Sequence, residues 1–366
     1  MFAINGKFLA RDMNGQIRVA METIKELDKI IPPNFAEIVA PESEYHIDGL
    51  KNIPVKRIGK GNRHIWEQTY YFLYLLTHRA KGINIFNSHP IFKPDIAYIH
   101  DLLPYALPNL YTTRYGKAQL KFNRRMIASA VKRAKQIIVV SEFTRNELMK
   151  YFNVDPAKIH VIYNGCQHMN SITEDEEIFN EFPEIHKGEY ILAASGITPQ
   201  KNFQWIIENA KYNPEITYVI VGSKEKSTNI EVDKIPQRHK TSETQNLRDN
   251  NSLNNLFFTG RVSDGQLKAL MHHCRAFVHP AVYEGFGMTP IEAAASGCKE
   301  LIVSNAACLP EIYGNSAHYI NPNVPNVKID DILREETGGV DLLLSGEKYS
   351  WKKAAESLYE IMKSEL

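Results

Sequence analysis

Several things are scarce in this 366-residue chain, and each absence removes a class of function. There are only four cysteines, Cys166, Cys274, Cys298 and Cys308, and no Cys-x-x-Cys pair. That argues against a disulfide framework or a zinc ribbon and reads as buried free thiols in a reducing cytoplasm. Formal net charge is +1, so the whole molecule has no bias toward nucleic acid, and any such bias must be local. No apolar run approaches the ~20 residues that a membrane-spanning helix needs. The opening residues lack a signal-peptide pattern, and Met1–Asn5 read as a first buried strand. A nicotinamide-dependent dehydrogenase needs Gly-x-Gly-x-x-Gly between first strand and first helix, whereas Arg11–Gly15 offers one glycine.

What is present is alternation. Short β-branched runs stand at Phe2–Asn5, Ala36–Ala40, Ile83–Asn87, Ile96–Ile99 and Gln136–Val140, then at Tyr190–Ala194, Thr217–Val221, Leu256–Thr259, Ala276–His279 and Leu301–Ser304. Amphipathic stretches fall between them, at Gly15–Lys29, Phe143–Phe152, Asn202–Ala210, Asp264–His273 and Pro290–Ser296. Strands alternating with helices predict α/β architecture with parallel, doubly wound sheets. Length predicts two such domains. The expected division is an N-terminal Rossmann-like domain over 1–170, a polar acidic linker over 171–188, and a C-terminal Rossmann-like domain over 189–348. A terminal helix over 349–366 is expected to pack back on the first domain. Ser223–Asn255 reads as a long polar loop. Ligands of such sheets bind beyond the carboxyl ends of the strands, so motifs that follow strands matter most.

Glu284-Gly285-Phe286-Gly287-Met288-Thr289-Pro290-Ile291-Glu292 follows the strand that ends at His279. Two glycines let backbone pass close to a ligand, and Thr289 and Pro290 suit the N-cap and first position of a helix. A glycine loop beside a helix N-terminus suits a diphosphate. Glu284 can accept from sugar hydroxyls and Glu292 from a ribose. Thr289-x-x-Glu292 is equally a capping box, which requires no ligand, and Glu284 alone is an ordinary turn carboxylate.

Two glutamates seven residues apart around Gly-Phe-Gly resemble the signature of retaining glycosyltransferases of the GT-B fold, family four (group 1). The likeness continues in Ser296-Gly297, Val303-Ser304-Asn305 and Leu309-Pro310-Glu311-Ile312 and extends over nearly the whole chain. It implies two Rossmann-like domains with an interdomain donor cleft, Glu284 on the donor sugar and Glu292 on the ribose. The loop Ser195–Asn202 resembles the one in which an arginine and, five residues later, a lysine neutralise the donor diphosphate. Lys201 is in place, followed by Asn202, but Gly196 holds the arginine position. His100-Asp101 resembles the family's His-Asp pair beside the reacting sugar. Ser141-x-x-Thr144 resembles a donor-facing turn, and Gly15 and Arg18 resemble the first loop. Arg261 and Val262 lie in a loop that the family sets near the nucleobase. Each has a plain alternative: a surface lysine, a structural histidine, a helix cap, and an Arg18–Glu22 pair on a helix surface. Arg18 is the preferred substitute for the missing arginine, ahead of Arg261.

From Arg114 to Lys135 there are eight lysines or arginines and no acid. At 100° per residue Lys117, Lys121, Arg124, Arg125, Lys132 and Lys135 gather on one side of a helix. This is either a solvated face or a surface for anionic lipid headgroups or a lipid-diphosphate acceptor.

The expected activity is retaining transfer of a hexosyl or deoxyhexosyl group from a nucleoside diphosphate sugar to a saccharide acceptor. No metal and no cofactor is expected, since Asp-x-Asp, the mark of the metal-dependent alternative, is absent. The resemblance implies a lipid-linked acceptor in capsule, O-antigen or exopolysaccharide synthesis, and a cytoplasmic protein peripheral to the inner membrane face. The rival readings are a non-hydrolysing sugar-nucleotide epimerase and a catalytically silent sugar-binding scaffold subunit.

Overall fold

The structure is a computed structural model and describes residues 1–10, 13–222 and 253–366. The long-loop reading of Ser223–Asn255 falls almost wholly outside these residues. The chain divides into two compact units, one formed by Met1–Gly165 with Lys348–Leu366 and the other by Cys166–Glu347.

The first unit is built on seven strands: β1 (Phe2–Asn5), β2 (Ala36–Ala40), β3 (Val55–Arg57), β4 (Lys81–Asn84), β5 (Ile96–Ile99), β6 (Gln136–Val139) and β7 (Ile159–Val161). Their order across the sheet is β3-β2-β1-β4-β5-β6-β7, with every pairing parallel. The second unit holds β8 (Tyr190–Ala194), β9 (Thr217–Val221), β10 (Leu256–Gly260), β11 (Ala276–His279), β12 (Leu301–Ser304) and β13 (His318–Ile320). They run parallel in the order β10-β9-β8-β11-β12-β13. Both sheets are doubly wound. The strand order reverses between β1 and β4 in one and between β8 and β11 in the other, and a crevice opens at such a switch point.

Strands covered by helices on both faces read as unbroken apolar runs. β1, β5, β8 and β11 are accordingly buried at every position. In the second unit Ile191, Ala193, Ile220, Val278 and Ile302 form one core with Phe203, Trp205 and Ile206 of the Phe203–Tyr212 helix. In the first, the Trp351–Ser364 helix lies on the Gly15–Ile30 helix, with Tyr359 edge-on to Phe35 at 5.3 Å.

Three strands have no counterpart in the sequence reading: β3, β7 and β13. Each is three residues long, and three residues carry no readable period. The fourth strand starts two residues earlier than read and stops at Asn84, which leaves Ile85–Asn87 in the loop at the carboxyl edge. The stretch read as a linker over 171–188 is folded. It carries a short helix at Glu177–Glu181, buries Ile178, Phe182 and Ile185, and lies in the second unit with the Gln167–Ser171 turn.

Candidate donor site

At the switch point of the second sheet two loops meet. The loop after β8 carries Gly196, which is exposed, then the Pro199–Lys201 turn. Asn202 follows in the left-handed region (φ 56°), and its side chain donates to the carbonyls of Pro280 (3.1 Å) and Pro322 (2.8 Å). The two loops are joined again by Val282 N–H donating to Gln200 O at 2.8 Å. Asn202 thus ties the first loop to the second and aims Lys201 across the crevice.

Lys201 Nζ forms an ion pair with Glu284 Oε1. The same oxygen accepts from Nε2 of His279, the last residue of β11, at 3.1 Å. Burial opposes the charge on Glu284, but the Lys201 ammonium and the His279 bond outweigh it and hold the carboxyl at about 2. Burial lowers the His279 pKa, partly offset by Glu284, so a neutral imidazole donates to an ionised carboxylate.

The Gly285–Gly287 loop then opens the Met288–Ala295 helix. Gly287 has φ 77°, and a Cβ there would stand 2.6 Å from Leu309 Cδ2, so this position demands glycine. The helix begins earlier than its sequence suggests. Gly287 is the N-cap, no side chain caps the helix, and Thr289 and Pro290 lie inside the first turn. The capping-box reading of Thr289 and Glu292 is therefore corrected, since a left-handed glycine has taken the cap. Tyr313 fastens the turn by donating to Gly287 O and accepting from Ile291 N–H at 3.1 Å. Glu292 is engaged elsewhere: its Oε1 lies 3.2 Å from Nε2 of buried His168. Phe286 is buried.

The remaining sequence-derived candidates divide by unit. Arg261 stands exposed just past β10, after Gly260 (φ 72°), with Val262 half-buried beside it. In the first unit Asn14 caps the Gly15–Ile30 helix through Ile17 N–H (3.0 Å), and Arg18 lies 3.8 Å from Glu22, the helix-surface partnership. Ser141 caps the Glu142–Tyr151 helix by accepting from Thr144 N–H (3.1 Å), the plain alternative at that turn. His100 is buried, contacts Ile85 O through Nε2 at 2.9 Å, and is pushed down to about 4 by that burial. Asp101 accepts from Leu103 N–H at 3.0 Å and so caps the next turn.

The basic stripe is thinner than its sequence. Arg124 donates to Pro104 O (2.9 Å) and lies over the Tyr105 ring, and Lys135 pairs with Glu365 at 3.5 Å. Lys117, Lys121, Arg125 and Lys132 remain exposed on one face of the Arg114–Arg133 helix.

Sequence reasoning missed a polar cluster at the other switch point, between β1 and β4. Glu67 is fully buried. It accepts from Lys7 Nζ (2.8 Å), Asn5 Nδ2 (2.7 Å) and Ser88 Oγ (2.9 Å). Burial works against its charge, and Lys7 reverses the balance to a lowered pKa. His89 sits alongside, 1% exposed, with neither ring nitrogen bonded, and is driven to about 4 by burial. Glu67 opens a single π-type turn, Glu67–Tyr71, and no sequence period announces such a turn. His168 and His279 were missed as well; a histidine closing an otherwise apolar strand was the available signal for His279. Among the described residues one group has metal-ligand chemistry: Glu174, His272 and His273, whose ligand atoms lie within 4.8 Å of one another. His272 and His273 end the helix that precedes β11, so the group lies at the amino edge of the sheet, away from Lys201 and Glu284.

The fold matches solved GT-B proteins along its whole length. HepE from Anabaena, solved with UDP-glucose, superposes with a TM-score of 0.69 at 15% identity over 99% of both chains. WaaG, a glycosyltransferase of lipopolysaccharide biosynthesis, gives 0.63 at 15% identity over 100% of this chain and 98% of that one. Two family models match in tandem, Glycosyltransferase Family 4 over 41–168 and Glycosyl transferases group 1 over 174–328. The chain belongs to the group 1 glycosyltransferases of the GT-B fold. Among curated relatives, the O-antigen chain mannosyltransferase RfbU of Salmonella typhimurium is 29% identical over 64% of this chain and 58% of its own length. The serotype-specific mannosyltransferase WbdA of Escherichia coli is 24% identical over 72% of this chain and 33% of its own. The chain thus spans little more than half of the one and a third of the other.

Proposed function

We propose that this chain is a retaining, metal-independent glycosyltransferase that moves a hexosyl or deoxyhexosyl group from a nucleoside diphosphate sugar to a saccharide hydroxyl. One observation carries the reading: a lysine, a carboxylate held ionised and a glycine-lined helix start converge at a doubly wound switch point. As the glycosidic bond breaks, negative charge builds on the departing diphosphate, and Lys201 with the N–H groups of Gly285–Gly287 offsets it. Glu284 accepts from hydroxyls of the sugar and Glu292 from the ribose, so that catalysis is mainly positioning and charge stabilisation. The acid–base step needs no dedicated side chain if the leaving phosphate takes the acceptor's proton. Mannosyltransferase relatives, one of them named for the O-antigen chain, favour a mannosyl or similar donor and a surface-polysaccharide acceptor, and the family resemblance adds that the acceptor is lipid-linked. Capsule or exopolysaccharide assembly would use the same chemistry.

The acceptor side supports a peripheral position at the inner face of the membrane. No helix among the described residues is long and apolar enough to cross a bilayer. Lys117, Lys121, Arg125 and Lys132 are exposed on the Arg114–Arg133 helix, which also carries Arg133 and half-buried Phe122. His64 meets Phe122 of the same helix (4.9 Å), and Arg133 lies over Phe92, which is 69% exposed. Cations beside exposed apolar groups suit an anionic interface.

The test is a screen of GDP-mannose, UDP-glucose and other donors for transfer and slow hydrolysis, with proton NMR of the product. The donor's anomeric configuration should be kept, and chelator should not reduce the rate. An inverted product, or activity lost to chelator and restored by manganese, contradicts the mechanism. A donor altered without acceptor into its epimer would favour an epimerase, and no turnover of any donor a silent scaffold. Lys117→Glu with Lys121→Glu and Lys132→Glu should abolish salt-sensitive binding to vesicles containing phosphatidylglycerol. Unchanged flotation would leave these lysines as a merely solvated face.

A further inference from the structure

Both glutamates of the motif are backed by a histidine. His279 lies 3.1 Å from Glu284 and His168 3.2 Å from Glu292, each through Nε2 to Oε1. Each histidine side chain is almost sealed, at 4% and 3% exposure, while the glutamates keep 14% and 17%. The two histidines come from unrelated places, the last residue of β11 and the Gln167–Ser171 turn. Both give up an imidazole to one oxygen of a partly exposed carboxylate.

We infer that His279 and His168 are positioning residues, each fixing one carboxylate oxygen so that the other faces the donor. This rests on the donor-site reading above. An ionised carboxylate accepts at about four lone-pair positions. At Glu284 both Lys201 and His279 take Oε1, so Oε2 is the oxygen that faces a sugar hydroxyl. The two partners are not equivalent. Lys201 is a point charge on a long flexible stem, and a diphosphate competes with Glu284 for it. His279 is set by a buried strand and has no reason to leave. When Lys201 turns to the diphosphate, His279 keeps Glu284 in place. The carboxylates can only accept, so each Nε2 carries the proton. Groups that orient a functional ligand without touching the reacting atoms commonly matter by about 10–100-fold.

The variants are His→Phe, which removes the donor, and His→Gln, whose amide nitrogen reaches the Nε2 position. His279→Phe should cut kcat for GDP-mannose or UDP-glucose by roughly 10–100-fold while affinity for GDP or UDP, which lack the sugar, stays unchanged. His168→Phe should weaken GDP or UDP binding by roughly tenfold or more with a smaller effect on kcat. His279→Gln and His168→Gln should restore most of each loss. Should a phenylalanine variant not fold, His→Asn, which reaches only the Nδ1 position, makes the same comparison. Wild-type behaviour in the Phe or Asn variants overturns the proposal. So does a loss of both parameters together with melting temperature that Gln does not rescue. A second readout needs no activity. Long-range nitrogen-15 NMR should show both histidines as Nε2–H tautomers, and Glu284→Ala and Glu292→Ala should each shift only its own partner. If wild type turns over no donor but the NMR couplings hold, the function reading fails and the positioning stands. Shifts that ignore the glutamates sink the positioning alone.

Discussion

A lysine–glutamate pair stands at the switch point of each sheet, and the two differ in one respect that decides their use. Lys7–Glu67 is sealed, with side chains 6% and 0% exposed, and Asn5 and Ser88 complete the carboxylate's bonding. Lys201–Glu284 is open, at 20% and 14%, and the Lys201 and His279 bonds fall on one oxygen. Position in a doubly wound fold is therefore not sufficient for a ligand site. A carboxylate with both oxygens bonded and shut away joins β1 to the loop after β4. One with an oxygen to spare, beside a flexible cation, can trade partners.

The contrast sharpens under substitution. The largest effect on stability belongs to the sealed pair. Lys7→Met strands a buried carboxylate and should cost about 3–5 kcal/mol, whereas Lys7→Met with Glu67→Leu should recover much of that. Urea unfolding of the single and double variants checks it; a single variant as stable as the double would show the pair is not sealed. Lys201→Ala should do the reverse. Turnover should drop by about 10²–10³, as when a charge-stabilising donor is removed, with stability nearly kept. A melting temperature as low as that of Lys7→Met would erase the distinction.

Acid bears on buried histidines in both units, since burial lowers His279 in the second as well, and most strongly on two in the first. His89 and His100 in the first unit are both held near 4 by burial, below the ordinary histidine value. Between about 6.5 and 4 the unfolded chain binds protons that the fold refuses. Stability is then full above that window and lost as pH falls through it, by roughly 1.4 kcal/mol per pH unit for each histidine. Glu284, held at about 2, keeps its charge throughout. Its contribution is present above the unfolded carboxylate value and is lost only as pH falls from there toward 2. Urea midpoints at pH 7, 6 and 5 should fall, and His89→Gln with His100→Gln should flatten the decline. A pH-independent midpoint would place these rings in water.

Much of the fold is legible in the sequence. Ten strands and the main helices follow from buried β-branched runs and amphipathic period, because covered parallel strands leave a strong local signal. The three short edge strands and the folded stretch at 171–188 do not, since their order comes from packing against neighbours far off in the chain. The Gly-Phe-Gly loop stands out in the sequence because its backbone demands glycine at Gly287, whereas Lys201 is singled out only by the family resemblance. The pairing of Lys201 with Glu284 spans 83 residues, and Lys7 with Glu67 spans 60, so neither could be read from spacing. Glu292 shows the limit from the other side. Its local context spelled a helix cap, and a histidine 124 positions away (Glu292 minus His168) took the carboxylate instead.

The central claim is that the open pair serves a donor, and Glu284→Gln tests it most directly. Donor hydrolysis and melting temperature are measured on one sample, with GDP-mannose and UDP-glucose in turn. A charged hydrogen bond to the sugar is worth about 1.5–3 kcal/mol, so kcat/KM should fall by roughly 10–100-fold with the melting temperature held. Full turnover in the glutamine variant, or a loss explained by unfolding, would contradict the account.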